Sequence, residues 1–182
     1  VEPLIVLNKC DLAAGLPAAR AQLAEFAAMG YRVLELSARG DPAPLAELLK
    51  GRLSVLIGQS GMGKSTLVNA LIPGAAAATR EISAALDSGK HTTTFARLYE
   101  LPGGGELIDS PGLQEFGLSH LDVGELEQAF RDFRPHLGQC RFRDCAHDRE
   151  PDCALRGHVS PGRLALYRTL RQEIASAARL DR

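Results

Sequence analysis

The chain has 182 residues, 45% hydrophobic and 24% charged, with 21 basic and 22 acidic side chains for a net charge of -1. That size and balance exclude intrinsic disorder and fit one domain and a fraction, burying roughly 70% of the extended surface. No apolar run approaches the ~20 residues of a membrane span, no signal-peptide pattern opens the chain, four cysteines are too few for a disulfide scaffold, and the absence of Trp disfavours base stacking, so a soluble cytoplasmic α/β protein is expected, with no membrane partner.

Leu4 to Leu7 is a short apolar run that reads as a buried parallel strand entering a loop at Asn8. Ala18 to Met29 reads as an amphipathic helix, Val33 to Leu36 as a second strand ending at Ser37-Ala38, and Pro44 to Leu49 as a short helix. Leu53 to Ile57 is a third strand, followed by a glycine-rich loop and a helix from Lys64 to about Leu71. Alternation of strands and helices at this spacing argues for a mostly parallel sheet with flanking helices. Gly74 to Lys90 is a long connection with an alanine run and little periodicity. Phe95 to Leu101 and Glu106 to Ile108 read as strands joined by the turn Pro102-Gly103-Gly104-Gly105. After Leu126 the chain is helical, passes a Cys/His cluster, and ends in a helix that starts at Ser160-Pro161 and buries Leu164, Tyr167, Leu170 and Ile174. No internal repeat is visible.

The charge is unevenly spread. Residues 1–130 hold 10 basic and 15 acidic side chains (net -5), and residues 131–182 hold 11 and 7 (net +4), all 11 of the basic ones Arg. Arg carries a planar fork of donors suited to phosphate, so this tail reads either as a solvated surface or as one that faces RNA.

Gly58-Gln59-Ser60-Gly61-Met62-Gly63-Lys64-Ser65 fits GxxxxGK[ST] between a strand and a helix. Such a loop wraps backbone N–H groups around a β-phosphate at the positive end of the following helix. Gly58, Ser60, Gly61, Met62, Gly63 and Thr66 would form the cradle. Lys64 would reach the β- and γ-phosphates, and the Ser65 hydroxyl would ligate Mg²⁺. A chance glycine turn is the alternative, and the loop alone does not separate ATP from GTP.

Asn8-Lys9-Cys10-Asp11 follows a strand and fits NKxD, the guanine reader of GTPases. Asp11 would accept from guanine N1–H and the N2 amine together, a donor pair adenine lacks. Asn8 would tie this loop to the phosphate loop, and the Lys9 stem would cover the base plane. Ser37-Ala38 resembles the second base loop, whose backbone N–H meets guanine O6. Cys10 is expected to be a packed, inert thiol. Asp109-Ser110-Pro111-Gly112 matches DxxG, with Asp109 acting through Mg²⁺ and the Gly112 N–H meeting the γ-phosphate. In His91-Thr92-Thr93-Thr94 a hydroxyl could ligate Mg²⁺, with Thr93 favoured over Thr92, although a threonine triplet can also simply open a strand.

Cys140-x4-Cys145-x-His147-x5-Cys153 supplies three thiolates and one imidazole within 14 residues, the ligand set of a closed structural zinc site. Arg141, Arg143, Arg149 and Arg156 would be displayed on its surface. His136 and His158 are spare ligands or surface residues.

In GTPases these elements ordinarily run cradle, threonine, DxxG, NKxD, SA; here NKxD and SA come first, a circular permutation. In that order, and in NKCDL, GQSGMGKSTLVNAL, GKHTTT, DSPG with EFGL, and CRFRDCAHDREPDCAL, the chain resembles the small-ribosomal-subunit-dependent GTPases (the RsgA, or YjeQ, family) nearly end to end. Met62 and Asp152 stand where smaller residues are expected.

The resemblance implies a circularly permuted P-loop GTPase over 1–125 and a small helical zinc-binding subdomain over 126–182. It implies GTP hydrolysis stimulated by the small ribosomal subunit during late maturation, with that subunit and its rRNA as partners and with GTP/GDP and Mg²⁺ as cofactors beside the one structural zinc; a monomer is expected. Where many GTPases place a water-orienting Gln just after DxxG, this chain has Leu113, with Gln114 one residue late; the resemblance favours His91 as the catalytic group, the other reading being that His91 packs or contacts the ribosome, and Lys64 is the second catalytic candidate through its phosphate contacts. A permuted sheet also calls for one more strand and helix upstream of Val1, and the family for an N-terminal OB-type domain. The other readings are a non-cycling GTP/GDP-sensing RNA- or ribosome-binding module, and an ATP-dependent kinase or ATPase, which NKCD and the lack of an acceptor site disfavour.

Overall fold

A computed structural model describes residues 1–75, 96–110, 118 and 120–180, with side-chain environments given through residue 176. The chain divides into two compact units, Val1–Glu115 and Phe116–Arg182.

In the first unit the chain runs β1 (Leu4–Leu7), α1 (Leu16–Ala28), β2 (Arg32–Glu35), α2 (Ala43–Leu49), β3 (Leu53–Leu56), α3 (Lys64–Leu71), β4 (Arg97–Glu100) and β5 (Glu106–Asp109). β1 and β2 pair in parallel as one two-stranded sheet; β3, β5 and β4 form a second, with β3–β5 parallel and β4–β5 antiparallel. The reading as a mostly parallel α/β sheet therefore holds strand by strand, but among the described residues the ladder breaks between β1 and β3. An ion pair, Arg52 to Glu2 at 2.7 Å, links the starts of the two strands.

One face of both sheets is covered. Leu45 of α2, Leu67, Val68 and Leu71 of α3, Leu107 of β5 and Leu36 form a buried cluster, with Val6, Leu34, Leu56 and Tyr99 packed against it. α3 faces inward because its apolar residues recur at helical spacing, and it begins where the Gly-rich loop frees the first-turn N–H groups. Among the described residues the other face of the β3–β5–β4 sheet is uncovered. Leu53 and Val55 alternate outward along β3, and Val55, Ile108 and Leu98 stand in one cross-strand row, with Val55 and Leu98 each about half exposed. α1 starts two residues before its expected position, because Pro17 sets the first turn. Its apolar stripe of Leu16, Leu23 and Phe26 is only half-buried, and no residue of α1 is fully buried.

The second unit contains α4 (Val123–Ala129) and α5 (Pro161–Leu180) around a largely irregular segment. α4 begins ahead of the expected helical start at Leu126. Asp122 accepts from the Glu125 N–H at 2.7 Å while the Glu125 carboxylate accepts from the Asp122 N–H at 2.9 Å, a reciprocal cap. Phe130, Phe133, Leu155, Leu164, Tyr167 and Ile174 form its core, with the Phe130 and Phe133 rings 4.7 Å apart and Tyr167 edge-on to both.

Candidate functional site

The loops after β1, β2, β3 and β5 converge on a cleft of about 510 Å³. It is lined by Asn8, Lys9 and Asp11; Ser37 and Ala38; Ser60, Gly61, Gly63, Lys64, Ser65 and Thr66; and Asp109. Four segments separated by up to a hundred positions thus share one site at the carboxyl ends of parallel strands, where α/β sheets bind ligands. Gly58 and Met62 flank the cleft and act through their carbonyls. His91, Thr92, Thr93, Gly112, Leu113 and Gln114 lie outside the described residues.

Asn8 joins three of the loops. Its Nδ2 donates to the Met62 carbonyl at 2.9 Å, and its Oδ1 accepts from the Ala38 N–H at 2.9 Å and the Lys9 N–H at 2.8 Å. The phosphate loop needs glycine where it meets this side chain. Gly63 has φ +94°, and a Cβ there would lie 2.6 Å from Asn8 Nδ2. Lys9, itself at φ +66°, sends Nζ to the Gly61 carbonyl at 2.7 Å, so its stem spans from the base-reading loop to the phosphate loop. The Ala38 N–H, one candidate donor for guanine O6, is held by Asn8. Cys10 is half-buried, and its thiol donates to the Leu7 carbonyl at 3.2 Å.

Asp11 accepts from Ser37 Oγ at 2.6 Å, and this bond, with a smaller contribution from its own backbone N–H, holds its carboxyl below the usual carboxylate range. An ionised, acceptor-only group therefore faces the cleft. Lys64 curls back to donate to the Gly58 and Gln59 carbonyls, the latter at 3.2 Å. Asp109 differs from Asp11. Its Oδ1 is buried with no hydrogen-bond partner among the described residues, and burial pushes its pKa up, against the lowering pull of Lys64 and Arg97. A buried carboxylate oxygen left open beside a phosphate-type loop has the chemistry to hold a divalent cation or its water.

In the second unit Cys140, Cys145, His147 and Cys153 come together, with their ligand atoms all within 4.8 Å of one another. His147 Nδ1 lies 3.6, 3.6 and 3.4 Å from the sulfurs of Cys140, Cys145 and Cys153. A tetrahedral zinc with Zn–S of about 2.3 Å and Zn–N of about 2.0 Å requires S···N separations of about 3.5 Å, so the four residues fit that ion. Burial, with the neighbouring thiols of Cys140 and Cys153, pushes the Cys145 thiol up, so ionising it calls for a cation. Backbone N–H groups, its own first and then those of Ala146 and Asp148 at 2.9 Å each, hold the Glu150 carboxyl down to about 2 and brace the ligand loop. His136 and His158 stack on each other, ring centroids 4.3 Å apart, instead of joining the cluster.

The arginines of the tail divide into two sets. Arg141, Arg143, Arg149 and Arg156 are exposed, although Arg141 pairs with Asp152 at 2.9 Å and Arg156 donates to the Asp148 carbonyl. Arg163 is inside: it forms a two-pronged pair with Asp132 at 3.1 and 2.9 Å and lies 4.3 Å over the Phe130 ring. Arg168 and Arg171 donate to loop carbonyls at 146–148. Arginine count alone does not distinguish these roles.

Comparison with known proteins places the architecture. The family model described as RsgA GTPase matches residues 1–119. A curated relative from Burkholderia pseudomallei (strain 668), named "Small ribosomal subunit biogenesis GTPase RsgA", is 57% identical over 188 residues, covering 98% of this chain and 60% of the relative. A relative of the same name from Ralstonia nicotianae is 57% identical over 186 residues, covering 95% and 58%. The chain thus spans about 60% of the length of the curated relatives it matches. Among solved structures, YjeQ from Thermotoga maritima matches with TM-score 0.74 and 30% identity over 96% of this chain and 60% of that one. YloQ, described as a circularly permuted GTPase, matches with TM-score 0.71 and 27% identity, covering 96% and 57%.

Proposed function

The chain belongs to the RsgA GTPase family, and from that premise we propose that the protein binds GTP, hydrolyses it to GDP and phosphate, and acts in small-ribosomal-subunit biogenesis, as the name of its relatives says of them. The observation that carries this reading is the meeting of the Asn8–Asp11 loop and the Gly58–Ser65 loop in one cleft, joined through Asn8. A phosphate loop alone would accept any nucleoside triphosphate. An ionised carboxylate at Asp11, held by Ser37 within the same cleft, adds the acceptor that guanine's paired donors satisfy.

The residues divide the work as follows. Asp11 reads the base, and Asn8 and Lys9 keep the two loops in register. The backbone from Ser60 to Thr66 holds the phosphates, with Met62 contributing its N–H and its carbonyl tied to Asn8. Lys64 would leave its loop carbonyls to meet the β- and γ-phosphates. Ser65 and Asp109, with Thr93, would hold Mg²⁺, which neutralises phosphate charge when bound. The Gly112 N–H would meet the γ-phosphate. His91 would orient the attacking water where Leu113 cannot, and a His brought into place by the partner would make turnover depend on that partner. The Cys₃His cluster would hold a structural zinc that staples the tail. The exposed arginines Arg143 and Arg149 would meet rRNA phosphate. The protein would work in the cytoplasm as a monomer.

The test is GTP turnover with and without purified small ribosomal subunits. The expected result is slow hydrolysis alone and strong stimulation by subunits, lost in His91→Ala with nucleotide affinity kept. Unequal GTP and GDP affinities with no turnover under either condition would replace hydrolysis by sensing.

A further inference from the structure

The Cys₃His cluster has an outer layer on residues far from it in sequence. His147 is 6% exposed and turns Nδ1 toward the three sulfurs, which leaves Nε2 pointing the other way. There Nε2 lies 3.5 Å from Glu127 Oε1, on α4, twenty positions upstream. The same oxygen accepts the hydroxyl of Tyr167 at 2.9 Å, and Tyr167, on α5, is completely buried. Burial pushes the Tyr167 hydroxyl well above its ordinary range, so it remains a donor. From the other side, Arg168 donates to the His147 carbonyl at 3.2 Å and to the Asp148 carbonyl at 2.7 Å, and Arg171 donates to the Ala146 carbonyl at 3.1 Å. His147 has φ +58°, a left-handed conformation uncommon for residues with a side chain and one that histidine adopts more readily than most.

We propose that Glu127 and Tyr167 are positioning residues of the metal centre: the Glu127 carboxylate accepts the Nε2 proton of His147, the Tyr167 hydroxyl orients that carboxylate, and together they fix Nδ1 as the ligating nitrogen. A neutral imidazole that ligates through Nδ1 must carry its proton on Nε2, and a carboxylate there both selects this tautomer and raises the basicity of the ligating nitrogen. A carboxylate near three thiolates is repelled by them. The two donors that converge on Glu127 offset that repulsion, and the Arg171 side chain lines the same small cavity beside Cys145 and His147. The inference rests on the cluster holding zinc, as proposed above.

The test uses the full 182-residue chain loaded with zinc. Metal analysis of the wild-type protein comes first; an absence of stoichiometric zinc would fail the underlying reading rather than this one. Zinc affinity is then measured by competition with a chromophoric chelator for Glu127→Ala, Glu127→Gln and Tyr167→Phe. Outer-layer partners of this kind set metal affinity by roughly 10- to 100-fold, and Glu127→Ala is expected to lose that much. Glu127→Gln, whose amide oxygen still accepts from Nε2–H, should recover part of it, and Tyr167→Phe should fall between. Nitrogen-15 spectra should show a slowly exchanging Nε2–H on His147 in the wild type that is lost in Glu127→Ala. Equal zinc affinity in all four proteins, or no difference between the Gln and Ala variants with the His147 tautomer unchanged, would overturn the proposal. Tyr167→Phe and Glu127→Gln keep it testable should Glu127→Ala not fold.

Discussion

Asn8→Ala is the substitution whose cost can be worked most directly from the geometry. It deletes three hydrogen bonds: to the Met62 carbonyl, from the Ala38 N–H and from the Lys9 N–H. At about 0.5–1.5 kcal/mol net for each, with those to Met62 and Lys9 solvent-exposed and at the low end, the loss is about 1.5–2.5 kcal/mol. None of these bonds lies in the hydrophobic core, so the loss falls on the register between the base-reading and phosphate loops. Converted to affinity, that is roughly 10- to 60-fold weaker GDP binding. The assay is titration with a fluorescent GDP, alongside a thermal melt of the nucleotide-free protein. Gly63→Ala should weaken GDP binding through the same contact, because its Cβ would sit 2.6 Å from Asn8 Nδ2. The double variant should then lose less than the sum of the two, since removing the amide relieves the clash while the φ +94° strain remains. Full additivity, or wild-type GDP affinity in Asn8→Ala, would refute the coupling.

Asp109→Asn should remove the Mg²⁺-dependence of nucleotide binding yet stabilise the nucleotide-free protein. A carboxyl whose pKa is raised on folding favours its protonated form, so the wild type should gain stability as pH falls from neutral toward the usual carboxylate range, and the Asn variant should not; parallel melts across that range check this. Asp11 is held ionised as an acceptor, so Asp11→Asn should cut GDP affinity at least tenfold while favouring xanthine nucleotides, whose O2 accepts where guanine's amine donates. Arg143→Ala with Arg149→Ala should lower the slope of log affinity for ribosomal subunits against log salt by about 1 per residue and leave melting unchanged. Arg163→Ala breaks a nearly buried pair with Asp132 and should instead cost about 3–5 kcal/mol of stability in the tail, read by denaturant unfolding.

The site was more legible in the sequence than the fold that carries it. A phosphate cradle demands glycine at fixed positions, a base reader demands a carboxylate after a strand, and a zinc site demands four soft or imidazole ligands, so Gly63, Asp11 and the Cys140–Cys153 cluster announce themselves by residue type. The break between β1 and β3 does not, because Leu53 and Val55 read as a buried strand whether or not a neighbour covers them. The Asp122–Glu125 cap was present as a D-x-x-E pattern and would have moved the start of α4 upstream. Glu127 and Arg163 carry no such signal. Which arginine binds a partner and which braces a helix depends on what folds beside it, and Asp132 and Tyr167 lie 31 and 40 positions from the residues they hold.

The central claim is that four loops, permuted in order, form one guanine-specific site. Displacement of fluorescent GDP from the protein by unlabelled GDP and, separately, by ADP tests it most directly. Displacement by GDP with no response to ADP is the expected result; equal displacement by ADP would contradict the assignment of Asp11 as the base reader.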